Sequence, residues 1–305
     1  MEEVEAEVST FGAMNVITKR IPEAQKGVVF MLLAVVFFSG MNASVKMLGH
    51  LPAHELIFWR SVISFSISYL IIKRLGLSLP GNNTRWLLVR GIAGTVALFL
   101  FFLSLRMMPL ATASTIQYLS PIFTVVFATY FNQQKVKPSQ WGLFALAFLG
   151  VLCIKGFDDR ITTEALVTGI ASAAVAGLAY NAIIKCKDSD HPVVIMIYFP
   201  LMSLPVMGMA CLWEFRMPVG TDWIFIGLMG LTAQVAQYCT TIALQSDSAA
   251  RVAPWNYVGA VLAVINGYVF FNESIGAMAF LGMIIIVLAL IWSARLRAAP
   301  KDVGK

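Results

Sequence analysis

The sequence predicts an all-α membrane protein in which ten transmembrane helices form two inverted five-helix repeats. Three observations lead to this fold class. Of the 305 residues, 59% are hydrophobic and 12% are charged, whereas ordinary globular domains carry roughly 25% charged residues. The apolar residues also occur in runs near the ~20 residues that cross a ~30 Å hydrocarbon core. The third observation is an internal duplication of the chain.

Each apolar run is interpreted as one transmembrane helix, and short polar stretches separate the runs. The first run is too long for a signal peptide and lacks a small-residue cleavage site, so it is expected to remain as helix one. Residues 1–26 and 296–305 are expected to be cytoplasmic tails. The ten predicted spans are 27–48, 54–73, 86–106, 110–131, 139–156, 164–185, 191–213, 222–244, 249–271 and 276–295.

The distribution of Lys and Arg predicts the orientation, because cytoplasmic loops retain positive charge. With the N-terminus inside, fifteen of the 22 basic residues, Arg90 among them, fall on the cytoplasmic side. Both termini are therefore predicted to be cytoplasmic, in the cell inner membrane. The net charge of +6 reflects this bias, so no nucleic-acid partner is expected. The expected partners are the lipid bilayer and a small-molecule substrate, and the sequence leaves open whether the chain forms a homodimer.

The internal duplication has a shift of about 139–140 residues. Asn42-Ala-x-x-Lys46 in helix one recurs as Asn181-Ala-x-x-Lys185 in helix six. These matches divide the chain into a first repeat, 27–157, and a second repeat, 164–295. Since each half has an odd number of helices, the second half enters the membrane from the opposite side. Inverted repeats of this kind are typical of secondary transporters. Helices three and eight share a further pair of motifs, Gly91-x-x-Gly94 and Gly227-x-x-Gly230.

These features, together with the sequence Pro109-Leu-Ala-Thr-Ala-Ser-Thr-Ile-Gln-Tyr-Leu-Ser-Pro121, resemble the drug/metabolite transporter superfamily and, within it, the EamA family. The resemblance covers residues 27–295 and implies the fold and the transport of a small solute. It leaves the substrate open, since the family includes carriers of amino acids, S-adenosylmethionine, riboflavin, organic acids and toxic compounds. One departure is Gln133-Gln134, where first-half family members often carry a Glu after helix four; Glu273 keeps that Glu in the second half.

Polar residues inside the spans are the candidates for substrate binding, because polar groups in hydrocarbon usually face a bundle interior or a cavity. Gln117 lies in a stripe of polar positions on one face of helix four, and Gln234 and Tyr238 lie in a stripe of the same spacing on helix eight. Two interpretations stay open for the stripes. They form two walls of a solute cavity, or they hydrogen-bond neighbouring helices to each other.

Arg60 is the strongest single candidate for substrate binding, since it lies in an otherwise apolar run and its equivalent in the second repeat is Pro200. A guanidinium binds a carboxylate or phosphate through two parallel hydrogen bonds. Arg60 is therefore predicted to hold an acidic group of the substrate. The equally weighted alternative is a structural bond to helix-end carbonyls or to Glu55.

Lys46 and Lys185 lie at the ends of repeat-related helices, where long cationic side chains normally reach towards the headgroups. The functional alternative is a cationic guard at each mouth of the pathway. It is supported by Asn42 and Asn181, which lie one turn deeper on the same faces and are further substrate-binding candidates. In helix nine, Trp255 and Tyr257 offer stacking surface to a substrate. Interfacial belts are also rich in Trp and Tyr, and that interpretation stays open for both residues.

No Asp or Glu lies in the middle third of any span, which favours uniport or exchange over proton coupling. Glu55, at a helix end, is the fallback proton site. No grouping of residues suits catalysis or a metal ion, and no phosphate-binding loop of the Walker type is present. The chain is therefore not expected to be an enzyme, to hold a cofactor or to hydrolyse ATP.

The predicted function is a secondary transporter that works by alternating access. Its substrate is expected to be a small organic metabolite: an organic acid, an amino acid or a similar zwitterion. The alternative is an exporter of cationic or neutral heterocyclic compounds of the drug, S-adenosylmethionine or riboflavin type.

Overall fold

The fold is seen in a computed structural model, which describes residues 22–132, 142, 145–146, 149–150, 161–246, 252, 255–256, 258–273 and 276–298. The regular elements in these ranges are α-helices, apart from a 3₁₀ turn at 255–256. In chain order they are α1 (Glu23–Met47), α2 (Ala53–Leu75), α3 (Thr84–Met107), α4 (Leu110–Gln117), α5 (Ser120–Asn132), α6 (Thr163–Lys185), α7 (Pro192–Cys211), α8 (Asp222–Ser246), α9 (Val258–Phe271) and α10 (Ala277–Ala298).

The helix ends carry recognisable start and stop signals. α1, α2 and α4 each begin directly after a proline, a residue whose fixed φ suits the entry to a helix. The Thr162 side chain accepts the Ala165 N–H and caps the start of α6, which satisfies one of the free N–H groups at a helix start. α2 ends where Gly76 adopts φ 64°, a left-handed conformation that glycine accepts without strain.

Six helices of the described chain are long and apolar enough to cross a membrane: Gln25–Met47, Ala53–Leu75, Thr84–Met107, Leu110–Phe131, Thr163–Lys185 and Pro192–Cys211. Helix α8 is not among the six, although it has 25 residues, because its second half is rich in Gln, Thr and Tyr. Large apolar side chains such as Val36, Ile92, Val167 and Leu288 are exposed on the outside of the bundle. An apolar exterior of this extent suits contact with lipid tails.

Most observed helices begin and end within about four residues of the predicted spans. The predicted span 139–156 lies almost wholly outside the described residues. The start of the predicted span 249–271 is also mostly outside them, and its described helix, α9, begins at Val258.

The predicted span 110–131 is observed as Leu110–Phe131, but its helix is interrupted near the middle. Helix α4 ends at Gln117 and α5 starts at Ser120. Pro121 has no N–H to bond the Gln117 carbonyl, so the regular bonding pattern fails here. The chain instead turns tightly, with the Leu119 N–H donating to the Ile116 carbonyl at 3.0 Å.

The helices pack in pairs: α1 along α8, α3 along α6, and α2 along α7. Two apolar clusters form the interior. One includes Met41, Leu56 and Phe102, and the other includes Phe30, Leu87 and Ile242. Along α3, Leu87 belongs to one cluster and Phe102 to the other, so the polar residues between them lie between the two clusters.

Candidate functional site

A cavity of about 160 Å³ lies between the two apolar clusters and is called the central cavity below. A single water needs roughly 10–15 Å³ of such space, so the cavity has room for a small organic molecule. Its lining includes apolar side chains such as Phe38, Phe101 and Phe199. Its polar lining residues are Ser39, Asn42, Arg60, Arg90, Ser114, Gln117, Tyr118, Ser120, Tyr180, Gln237, Thr240 and Asn256.

Arg60 enters the cavity from α2, seven residues beyond the first residue of that helix, or about 10 Å along its axis. Its side chain is 3% exposed. The guanidinium carbon Cζ lies 4.5 Å from the centre of the Phe199 ring, within the range of a cation–π contact. Among the described residues, its Nε and Nη1 atoms have no hydrogen-bond partner.

Arg90 enters the same cavity from α3, six residues beyond its first residue. It is 4% exposed, and its Cζ lies 5.9 Å from the centre of the same Phe199 ring. Its Nε atom also lacks a partner among the described residues. The prediction that counted Arg90 with the cytoplasmic-loop charges is therefore wrong. The cytoplasmic side then has one basic residue fewer, and the predicted orientation stays the same.

Two amides line the cavity beside the arginines, as the sequence predicts for Asn42 and Gln117. The Oδ1 atom of Asn42 is buried and without a partner in the described part of the chain. The Ser172 Oγ atom lies 2.9 Å from Gln117 Oε1 and 2.8 Å from the Ala97 carbonyl oxygen, and these two acceptors share its one proton. Gln117 is thus held by α6 while it faces the cavity.

Other predicted binding residues lie outside the cavity lining. Asn181 Nδ2 donates to the Thr124 carbonyl at 2.8 Å and joins α6 to α5. Gln234 Nε2 donates to Ser68 Oγ at 2.8 Å and joins α8 to α2. The Gln234 contact matches the alternative interpretation of the polar stripes, in which amides hold helices together, and Asn181 joins two helices in the same way.

Tyr238 is buried beside the apolar cluster that contains Phe30, and Trp255 is 41% exposed. Neither belongs to the cavity lining. Asn256, the residue after Trp255, does line the cavity. The predicted residue Tyr257 lies outside the described residues.

Glu55 lies at the start of α2 with no exposed surface. Its Oε2 accepts the Arg216 N–H at 2.9 Å, and Trp59 Nε1 donates to its Oε1 at 3.4 Å. The carboxylate therefore fixes the loop before α8 against α2. It does not line the cavity and does not contact Arg60.

Lys46 and Lys185, the predicted mouth residues, lie at the ends of α1 and α6. Lys46 forms an ion pair with Glu273, and Lys185 Nζ donates to the Phe131 carbonyl at 3.4 Å. Both lysines therefore bind to a helix end of the opposite half of the chain. In the described ranges no group of three or more His, Cys, Asp and Glu residues could hold a metal ion.

Sequence reasoning missed Arg90, Tyr118, Tyr180 and Phe199 as cavity residues. A signal for Arg90 existed: it lies inside an apolar helix and is followed one turn later by Gly94. A β-carbon at Gly94 would overlap Arg90 Nη1, so the glycine leaves the space that the guanidinium occupies. Tyr180 directly precedes Asn181, but the sequence does not tell which of these neighbours faces the cavity.

Comparison with known proteins places the chain in a family. The model of the EamA-like transporter family matches residues 25–156 and again residues 163–295. The pseudopaline exporter of Pseudomonas aeruginosa is 31% identical over 278 residues, which cover 89% of this chain and 96% of that protein.

The riboflavin transporter of Rhizobium johnstonii is 27% identical, with 88% of this chain and 91% of that protein covered. A solved crystal structure superimposes with a TM-score of 0.68 at 17% identity, over 90% of this chain and 99% of the solved one, and shows the fold alone. The two family matches together span most of the sequence. The chain belongs to the EamA-like transporter family and is a membrane transporter of small molecules, not an enzyme.

Proposed function

We propose that this protein is a secondary transporter of a small organic metabolite with an acidic group, an organic acid or an amino-acid-like zwitterion. The observation that carries the proposal is Arg60, whose guanidinium is buried in the central cavity with two nitrogens unpaired in the described chain. A buried charge without a partner is costly. A substrate carboxylate would provide two parallel hydrogen bonds to this guanidinium and offset that cost.

The remaining lining suits the rest of such a molecule. Asn42 and Gln117 offer hydrogen bonds to hydroxyl or amino groups, and Phe199 offers an apolar wall next to Arg60. Small-molecule sites typically combine a mostly apolar lining with a few convergent polar groups. Within the described residues no carboxylate lines the cavity, which favours a substrate whose charged group is negative.

The transport mechanism we propose is alternating access by two inverted five-helix repeats, 27–157 and 164–295, between the tails 1–26 and 296–305. The family model matches the chain once in each half. Helix pairing supports the same relation: α1 packs along α8 and α6 along α3, and the repeat shift exchanges these two pairs. Rocking of such halves opens one central site to either side in turn.

The proposed location is the inner membrane of the cell, with both termini in the cytoplasm, because most Lys and Arg then fall on the cytoplasmic side. The test is chemical labelling of a single cysteine introduced at Lys305 in intact cells. Protection until the membrane is permeabilised is expected. Labelling of intact cells would contradict the orientation.

The proposed transport mode is uniport or exchange. Among the described residues the cavity lacks a carboxylate, and Glu55 is occupied by the Arg216 N–H and the Trp59 indole. A proton-coupled carrier usually needs a titratable group inside the membrane. Transport by reconstituted vesicles is therefore expected to move no protons with the substrate, and acidification recorded by a trapped pH dye would contradict this.

The test of the substrate proposal is the thermal stability of the purified protein with a panel of monocarboxylates, dicarboxylates, amino acids and heterocycles. A ligand that binds only the folded state raises the melting temperature. We expect stabilisation by carboxylates in the wild type and clearly weaker stabilisation in Arg60→Gln. Arg106→Gln is the matched control, because Arg106 is exposed in the last turn of α3. Equal stabilisation of Arg60→Gln and the wild type would rule out the Arg60 site.

A second candidate substrate is a neutral heterocycle. The aromatic rings of Phe38, Phe101, Tyr118, Tyr180 and Phe199 line the cavity, and aromatic walls stack on planar rings. The relative that transports riboflavin fits this class. A cationic compound is disfavoured by the two guanidiniums. Stabilisation by neutral heterocycles alone, unchanged in Arg60→Gln, would favour this candidate over the acidic one.

A further inference from the structure

A second guanidinium lies in the central cavity, and the proposed function uses only the first. Arg60 and Arg90 come from different helices and converge on one ring, at 4.5 Å and 5.9 Å from the centre of Phe199. Arg60 lies near the start of α2 and Arg90 near the start of α3. Since consecutive spans run in opposite directions, the two side chains reach Phe199 from opposite ends of the bundle.

Both guanidiniums remain charged, because arginine keeps its proton throughout the physiological range. Both are almost fully buried, and neither forms an ion pair with a carboxylate in the part of the chain that the structure describes. Two like charges near one ring repel each other, and burial strengthens that repulsion. The cavity lining therefore carries an excess of positive charge that one carboxylate would only half neutralise.

The space for Arg90 is built into its own helix. Gly94 follows Arg90 by one turn, and a β-carbon there would overlap Arg90 Nη1 and lie 3.1 Å from the Phe199 ring. A guanidinium that only needed to reach the headgroups would require no such space. The absence of a β-carbon at Gly94 is therefore compatible with the inward position of the Arg90 guanidinium.

We propose that Arg90 is a second anion-binding residue and that the substrate is a small organic dianion, with one acidic group for each arginine. This inference rests on the proposed function and names the substrate class of its site. The Arg60 guanidinium binds one carboxylate, and the Arg90 guanidinium binds the other. The short carbon skeleton between them lies against Phe199. Arg90 thus determines the specificity for diacids over monoacids, while Arg60 binds both.

The experiment measures the binding of malonate, succinate, glutarate and adipate to the purified protein, each compared with its own monoamide. The monoamide has nearly the same size and lacks one charge. The best diacid is expected to bind about tenfold more tightly than its monoamide, because hydrogen bonds to a charged group exceed those to a neutral amide. This comparison in the wild type needs no variant, so it stands even if a variant fails to fold.

Variants then test whether Arg90 is the residue that binds the second carboxylate of the diacid. In Arg90→Gln, diacid and monoamide are expected to bind with about equal affinity, because Arg60 is then the guanidinium that binds a carboxylate of either ligand. Gly94→Ala keeps the Arg90 charge but displaces its guanidinium, and we expect the diacid preference to fall severalfold. Arg106→Gln is expected to keep the full preference, because Arg106 is exposed.

The outcomes separate this inference from the proposed function. Binding of monoacids and diacids with equal affinity, lost in Arg60→Gln and unchanged in Arg90→Gln, would overturn the second site and keep the proposed function. A diacid preference that survives Arg90→Gln would also overturn the second site. If no carboxylate of either kind binds the wild type, both the inference and the acidic-substrate proposal are wrong.

Discussion

The two lysines that the repeat makes equivalent lie in different surroundings. At the end of α1, Lys46 pairs with Glu273, donates to the Met108 carbonyl at 3.3 Å and lies 5.6 Å from the centre of the Phe271 ring. Glu273 also accepts the Leu110 N–H at 2.9 Å. One carboxylate thus joins α1, α4 and the segment after α9. We call this group the Lys46 end.

At the end of α6, Lys185 donates to the Phe131 carbonyl at 3.4 Å and lies 6.0 Å from the centre of the Trp86 ring. No described carboxylate pairs with it. This group is called the Lys185 end. A partly buried ion pair stabilises the Lys46 end, whereas the Phe131 carbonyl and the Trp86 ring stabilise the Lys185 end. We therefore expect that more free energy is needed to break the contacts of Lys46 than those of Lys185, although the two lysines are equivalent in the repeat.

The largest effect is expected from Glu273→Ala. It leaves both Lys46 and the Leu110 N–H without their partner, which should lower the free energy of unfolding by about 2–3 kcal/mol. Unfolding of the purified protein by denaturant measures this. Glu164→Ala is the control, because Glu164 is exposed at the start of α6. Equal losses in the two variants would show that Glu273 does not hold the Lys46 end.

The next largest effect is expected from exchanging each lysine for methionine, which keeps the apolar stem. Lys46→Met should cost about 1–2 kcal/mol, since it leaves Glu273 with an unpaired charge. Lys185→Met should cost less than about 0.5 kcal/mol, because its contacts resemble those of surface charges. The ratio of the two losses, measured under identical conditions, tests the comparison directly. A larger loss of unfolding free energy in Lys185→Met than in Lys46→Met would show that the Lys185 end is the more stable one.

A smaller effect is expected from Glu273→Gln. The amide oxygen still accepts the Leu110 N–H, and only the charge that pairs with Lys46 is lost. The expected cost is about 1 kcal/mol. Because the remaining contact is less electrostatic, the stability of this variant should also depend less on salt concentration than that of the wild type. If the stability of Glu273→Gln depended on salt as strongly as that of the wild type, the ion pair between Lys46 and Glu273 would be excluded as the source of the salt dependence.

The smallest effect is expected from Gln133→Glu, which introduces a carboxylate at the residue that the repeat aligns with Glu273. The variant should raise the free energy of unfolding by up to about 0.5 kcal/mol, and Lys185→Met should abolish this gain. A double-mutant cycle between the two positions measures the coupling. A gain that persists in the absence of Lys185 would show that the carboxylate acts elsewhere.

The sequence predicted the helices well where composition determines them. Runs of apolar residues such as 164–185 and 222–244 match α6 and α8 closely, because a helix satisfies every backbone group in lipid within its own segment. The break between α4 and α5 was missed, although Pro121 was visible in the sequence. A proline is tolerated in many transmembrane helices, so its presence alone does not tell whether the helix continues.

The candidate site was predicted less completely. Arg60, Asn42 and Gln117 line the cavity, and each is polar within an apolar run. Asn181 and Gln234 look the same in the sequence but bond to Thr124 and Ser68. A polar residue that joins helices and one that faces a cavity have the same pattern, and only the packing of neighbouring helices separates them.

Arg90 was missed for a different reason. The rule that assigns orientation treats a basic residue near a cytoplasmic helix end as a loop charge. Arg90 lies about 9 Å inside its helix, where its long side chain is able to reach either the headgroups or the bundle interior. Gly94 leaves room for the inward direction, and the space that a missing β-carbon gives a neighbouring guanidinium is not apparent without the structure.

The interruption at Tyr118 and Leu119 has a consequence for how movement passes through the protein. The first residue of α4, Leu110, is bonded to Glu273, while Thr124 in α5 is bonded to Asn181. A continuous helix would act as a stiff rod and transmit any tilt from one end to the other. Two shorter helices joined by a turn transmit tilt less directly than one rod, so we expect any bending of this span during transport to occur at Tyr118 and Leu119.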